Sequence, residues 1–205
     1  MTHTPEKPTS RPVRPLGRAE VALAACALAV SSFPAGAQGV SGSSTAGTGT
    51  ASRAGAMVSQ GDSKMMTDLA QANIAEIETG KLALEKSRNE QVRKFAQHMI
   101  DEHTSALKEL QTLAQAKGVT LPDGADLKHK TMATALKIMS GNTFDSQYMK
   151  RAGVGDHQQT IGLLQKTQKN ARDPELKAMA TKMLPTVQAH LKMAQEGVVA
   201  LSAKK

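Results

Sequence analysis

The chain of 205 residues carries 26 Lys and Arg against 18 Asp and Glu, a formal charge of +8, with one Cys, one Tyr, no Trp and 11 Met. That length suits one ordinary domain with appendages, and so few aromatic residues point to a core of Leu, Met, Ala, Ile and Val, which favours helices over sheet. Basic residues alternate with acidic ones, with no run of five or six and no aromatic interleaving, which argues against a nucleic-acid partner and for solvated helix faces.

Residues 1–37 read as a secretory signal peptide. Lys7, Arg11, Arg14 and Arg18 stand against Glu6 and Glu20, and the apolar run from Val21 to Val30 follows. Such a run is too short to span a bilayer but matches the core of an export signal. Ser31, Ser32 and Pro34 break it, and Ala35-Gly36-Ala37 gives the small-x-small pattern that predicts cleavage before Gln38. A competing reading takes Leu23-Ala24-Ala25-Cys26 as a lipobox with Cys26 lipidated, but Arg18 and Glu20 truncate the apolar stretch it needs. The expectation is an exported chain, periplasmic or envelope-associated. After cleavage it would hold no cysteine, hence no disulfide or thiolate chemistry, and no run long enough for a transmembrane span. Residues 38–62 are rich in Gly, Ser and Thr and poor in apolar side chains, and are predicted to form a disordered linker.

The bundle domain is predicted over 63–205. Its first helix should start near Ser63, capped by Asp62 or Ser63, and run to about Arg88, with Met66, Leu69, Asn73, Glu76, Gly80 and Leu84 recurring at three- and four-residue steps. A second helix begins after Ser87 or Asn89 and reaches Lys117, where Gly118 supplies the stop. Its inward stripe includes Val92, Ala96, Met99, His103, Leu107 and Leu110. A shorter helix is predicted from Ala125 to Met139. The next runs from about Thr143 to Lys169, with Phe144, Tyr148, Ala152, His157, Ile161 and Leu164 on one face. The last opens on Asp173-Pro174-Glu175, a cap followed by Pro at the first helical position, and Pro185 predicts a kink near Thr181–Leu184. Short connections make the first two long helices antiparallel neighbours, and likewise the last two, with the shorter helix as crossover. The fold class is all-α, a ferritin-like four-helix bundle.

Each long helix offers one potential ligand on its apolar stripe: Glu76 (next to Asn73), His103, His157 and His190. Burying a carboxylate and three imidazoles calls for partners, and one partner is a metal ion (Zn, Cu, Fe or Mn) held in the bundle interior. Asp101, Glu102 and Asp156 stand near enough in sequence to support or bridge such ligands. The alternative is that each histidine is a satisfied core residue and no metal is bound. His98 and Glu102, one turn apart, are expected to pair on the surface, and His129 is expected to be exposed. The methionines are read as core filler rather than copper ligands. Without a cysteine or a serine in a nucleophile elbow, nothing in the sequence supports an enzyme assignment.

Several segments together resemble domain-of-unknown-function family 4142, exported bacterial proteins often labelled outer-membrane proteins. They are Ala75-Glu76-Ile77-Glu78-Thr79-Gly80-Lys81, Phe95-Ala96-Gln97-His98-Met99-Ile100-Asp101-Glu102-His103, Phe144-Asp145-Ser146-Gln147-Tyr148-Met149, Asp156-His157, Asp173-Pro174-Glu175-Leu176 and Leu184-Pro185-Thr186-Val187-Gln188-Ala189-His190. The resemblance covers roughly residues 63–197. It implies a ferritin-like helical fold, an envelope location and no established activity, and it marks Glu76, His103, Asp145, Tyr148, His157 and His190 as counterparts of the family's characteristic polar residues. Ferritin-like di-iron proteins use Glu-x-x-His on two helices, and that motif is absent here, which weighs against a di-iron oxidase. No alternating strand pattern supports a barrel.

Three functions are compatible with these readings. One is a periplasmic metal-binding or stress-related bundle with the Glu/His cluster converging on one ion. Another is a non-catalytic envelope interaction or structural module, its partner an envelope protein or a second copy. The third is a pH-responsive bundle in which acid charges buried imidazoles.

Overall fold

A computed structural model describes residues 58–203. The predicted signal peptide, Cys26 and most of the predicted linker lie outside the described residues. Every regular element within them is helical: α1 (Gln60–Lys86), α2 (Glu90–Ala116), α3 (Leu127–Lys137), α4 (Gly141–Tyr148), α5 (His157–Asn170) and α6 (Pro174–Ser202). A π-helical segment, Met149–Asp156, joins α4 to α5 without a break, so the two form one long helix.

Local chemistry sets the helix ends. Ser59 caps α1 by accepting from the Asp62 N–H at 3.1 Å, so the helix begins three residues before the predicted boundary at Ser63, inside the predicted linker range. Asp62, expected as a possible cap, is instead buried, and its carboxylate accepts from the N–H groups of Arg172 (2.9 Å) and Asp173 (3.0 Å). This ties the start of α1 to the start of α6. Asn89 caps α2 through the N–H groups of Gln91 and Val92. At its other end, Gly118 (φ 68°) lets the Val119 N–H reach Ala114 O at 2.8 Å and its own N–H reach Gln115 O at 3.1 Å, the paired bonds of a Schellman stop. Asp126 caps α3, and Asp173 caps α6 with Pro174 just inside. α6 continues as helix through Pro185.

Three-residue connections make α1/α2 and α5/α6 antiparallel hairpins, and these pairs form the two most extensive helix–helix interfaces. α3 is the crossover between hairpins, so the all-α four-helix arrangement expected from the sequence is the one observed. The core is in two parts. One cluster gathers Val92, Phe95, Met99, Phe144, Tyr148 and Met149; the other gathers Met66, Leu69, Leu110, Leu164, Leu176 and Val187. Fully burying each large side chain of this kind stabilises the fold by roughly 1.5–3 kcal/mol. Along every long helix at least one buried polar residue falls between the two clusters: Asn73 and Glu76 on α1, His103 on α2, His157 at the head of α5 and His190 on α6. The bundle therefore carries one polar layer at mid-height with apolar packing on both sides.

Candidate metal centre

The π-helical segment sets the position of His157. The inward face of the long helix steps by four from Tyr148 to Ala152 and by five from Ala152 to His157. Five residues is the step of a π-turn, which accommodates an extra residue without losing the face. Close contact with α6 fits this: a Cβ on Gly153 would stand 3.0 Å from the Ala194 Cβ and 3.6 Å from the Phe95 ring. The widened turn also leaves the Ala152 carbonyl accepting from His157 Nδ1 at 3.1 Å.

His103, His157 and His190 converge. Their exposures are 4%, 1% and 2%, and one ring nitrogen of each lies within 4.8 Å of those of the other two. The ring centroids are separated by 5.6 Å (His103–His157), 5.4 Å (His103–His190) and 5.4 Å (His157–His190). Imidazoles bound to one tetrahedral ion at about 2.0–2.1 Å would have centroids about 5.2 Å apart. The three rings already stand near that spacing.

Hydrogen bonds fix which nitrogens are free. His103 Nδ1 lies 2.9 Å from Asn73 Oδ1, and the Asn73 Nδ2 donates to Leu69 O at 2.7 Å, so the amide oxygen faces the ring. His157 Nδ1 faces a backbone carbonyl. Both partners can only accept, so both Nδ1 atoms carry the hydrogen and both Nε2 atoms present lone pairs. These Nε2 atoms, and both ring nitrogens of His190, are buried without a hydrogen-bond partner. Burial, then the neighbouring imidazoles, holds His103 well below the usual histidine range. Burial pushes His190 down to about 3, with His157 and His98 adding to the effect. Burial also lowers His157, partly offset by the Ala152 and Gly153 carbonyls. All three are neutral at pH 7, the form that binds metal.

Glu76 adjoins the cluster without belonging to the mutually close set. Its Oε1 is 3.3 Å from His157 Nδ1, but that N–H is directed at Ala152 O, and neither Glu76 oxygen has a hydrogen-bond partner. Burial, followed by the charge of Asp156, pushes the Glu76 carboxyl well above the usual carboxylate range. Tyr148 is fully buried with an unpartnered hydroxyl, raised by burial and then by Glu76, and Asp145 is buried with Oδ1 unpartnered.

The remaining supporting candidates lie elsewhere. Asp101 is exposed and accepts from Gln97 at 2.9 Å on the outer face of α2. Asp156 is buried but faces Gln159 and His129. His129, expected to be exposed, is half-buried because its Nδ1 pairs with Asp126 at 2.7 Å. Glu102 is exposed and lines a groove between α2 and α6 that ends on His103 and His190. Its cavity is about 110 Å³, below the roughly 300–1,000 Å³ typical of organic-ligand pockets. Two participants were not picked out from sequence. Asn73 was visible on the α1 stripe, but its role as the orienting acceptor of His103 was not. His98, expected to pair with Glu102, sits edge-on to His190 with centroids 5.1 Å apart.

Comparison with known proteins is consistent with this architecture. The sequence model of a family described as Domain of unknown function (DUF4142) matches residues 47–196. No curated protein matches the sequence. Among solved structures, the crystal structure of a DUF305 fragment from Deinococcus radiodurans is similar with a TM-score of 0.63 at 13% identity, over 71% of this chain and 99% of that one. CopM in the Cu(II)-bound form is similar with a TM-score of 0.57 at 20% identity, over 68% of this chain and 96% of that one. For CopM in the Cu(I)-bound form the values are 0.54, 19%, 66% and 93%. At these identities the likeness concerns the fold. No helix among the described residues is long and apolar enough to cross a membrane.

Proposed function

The chain belongs to the DUF4142 family, and we propose that it is an exported protein whose bundle binds one first-row transition-metal ion, copper foremost, through His103, His157 and His190. The observation that carries this reading is the set of three buried neutral imidazoles with unpartnered ring nitrogens facing one another. A buried polar atom left without a partner costs about 1–3 kcal/mol, and a bound ion would satisfy one nitrogen on each ring. Asn73 and the Ala152 carbonyl would act as the supporting shell that orients metal-ligating histidines. The small groove reaching His103 and His190 suits an ion better than an organic substrate.

Copper comes first for two reasons. Imidazole sites hold Cu(II) more tightly than other divalent first-row ions, and three neutral ligands suit the low charge of Cu(I) in a buried site. CopM, which shares the fold, is described in both Cu(II)- and Cu(I)-bound forms. Glu76 is placed beside the ion as a neighbouring carboxyl. Export is supported by the apolar run Val21 to Val30 and the Ala35-Gly36-Ala37 site, with the Gly-, Ser- and Thr-rich residues between Gln38 and Ser59 as the linker ahead of the bundle. Elemental analysis of tag-free protein after incubation with Cu, Zn, Fe and Mn salts tests the reading. One equivalent of copper retained through desalting, with a raised Tm, is expected. No metal retained and no thermal shift with any of the four ions refutes it.

A further inference from the structure

The three clustered imidazoles are not held alike. His103 and His157 are each pinned through Nδ1, at 2.9 Å to Asn73 and 3.1 Å to Ala152. His190 has no hydrogen bond on either ring nitrogen although the residue is 2% exposed. Its ring can turn about the Cβ–Cγ bond without breaking a hydrogen bond, and either nitrogen can serve as donor or ligand. An unpinned ring is unusual for a resident ligand, because ligating histidines generally donate their second nitrogen to a fixed acceptor.

On its other side His190 meets a fourth imidazole. His98 is exposed on α2 and stands edge-on to His190 at 5.1 Å, a separation close to the 5.4 Å between His190 and each inner ring. Two imidazoles sharing one ion would have centroids about 5.2 Å apart. His190 thus lies between an inner pair that is buried and fixed and an outer partner in contact with solvent.

From this we infer a second, outer metal position formed by His98 and His190, through which a first-row transition ion passes to the inner three-histidine site as His190 turns. It rests on the three-imidazole reading and adds the route by which an ion reaches it. A hydrated ion can bind His98 while keeping most of its water. It exchanges that water for His190, then for His103 and His157, so it is never stripped of all its ligands at once. The two positions share His190, so the protein holds one ion at a time.

Stopped-flow mixing of the apo protein, without an affinity tag, with aqueous Cu(II) separates the possibilities, alongside equilibrium competition against a chelator of known affinity. His98 is exposed, so His98→Ala and His98→Gln should fold as the parent does, which circular dichroism checks. Both variants are expected to load copper about tenfold more slowly than the parent, with final stoichiometry unchanged and equilibrium affinity within about twofold, a smaller change than loss of a supporting contact to a resident ligand gives. Loading at the parent rate overturns the outer position. So does a fall in affinity as large as the fall in rate, since that makes His98 an ordinary fourth ligand. A parent protein that takes up no copper contradicts the three-imidazole reading itself. Tight parent binding with unaltered kinetics in the variants contradicts the outer position alone.

Discussion

Acidification of the apo protein probes the polar layer most sharply. The unfolded histidines titrate near 6.5, whereas His103, His157 and His190 are depressed in the bundle. A group whose folded pKa is depressed in this way favours folding while it is neutral in both states. That contribution is lost as pH falls below the unfolded value, because only the unfolded chain takes up the proton. Between pH 7.5 and 5.5 each such imidazole costs at most about 1.4 kcal/mol, so the three together cost up to about 4 kcal/mol. Glu76 acts in the opposite sense. Its folded pKa is raised, so its burial as an acid weighs least at low pH and increasingly against folding as pH rises. Over the same window it returns up to about 2.7 kcal/mol, so the net loss on acidification is at most about 4 kcal/mol. Urea denaturation of metal-free protein at the two pH values measures this directly. Glu76→Gln removes the opposing contribution and should steepen the loss, while His190→Gln should flatten it by about 1.4 kcal/mol. A stability that is higher at pH 5.5, or a Glu76→Gln variant with a shallower dependence, would refute the assignment of these groups.

Other positions give independent checks. Asp62→Ala removes the buried carboxylate that accepts from the Arg172 and Asp173 N–H groups and should cost about 1–3 kcal/mol by urea denaturation, with the helix content of the native state unchanged by circular dichroism. Gly80→Ala would place a Cβ 2.9 Å from Ile100 and 3.1 Å from the Ala96 carbonyl, and overpacking against backbone should cost about 1–3 kcal/mol. Gly162 has nothing within 4 Å of a built Cβ, so Gly162→Ala should instead raise stability by about 0.5–1 kcal/mol. Thermal melts of the two alanine variants should move in opposite directions. Asn73→Ala frees the His103 ring from its acceptor and should weaken copper binding about 10–100-fold in chelator competition without changing stoichiometry.

The architecture was readable in the sequence because its signals are local. Asn89, Asp173-Pro174 and Gly118 act where their chemistry places them, and the short connections dictate the two hairpins. The start of α1 was misread because Ser59, Asp62 and Ser63 are all good caps, and only the fold reveals that Asp62 is needed at the head of α6. The five-residue step from Ala152 to His157 carried the π-turn in plain sight, but a search at a 3.6-residue period absorbs one irregular step as scatter. Convergence of His103, His157 and His190 was partly legible, since each interrupts an apolar stripe. Their common height depends on helix register and could not be read from stripes alone. Neighbours in sequence proved poor guides to the surroundings of the cluster. Asp101 and Glu102 precede His103 directly, yet successive helical residues point about 100° apart, and both face solvent. His98, five residues before His103, looked like another surface residue until α6 brought His190 beside it.

X-ray absorption at the copper edge of the loaded, tag-free protein tests the central claim most directly. Three imidazole nitrogens at about 2.0 Å, recognised by their outer-ring scattering, are predicted, with the imidazole count falling in His157→Ala. A first shell of sulfur, or of oxygen with fewer than two imidazoles, would contradict it.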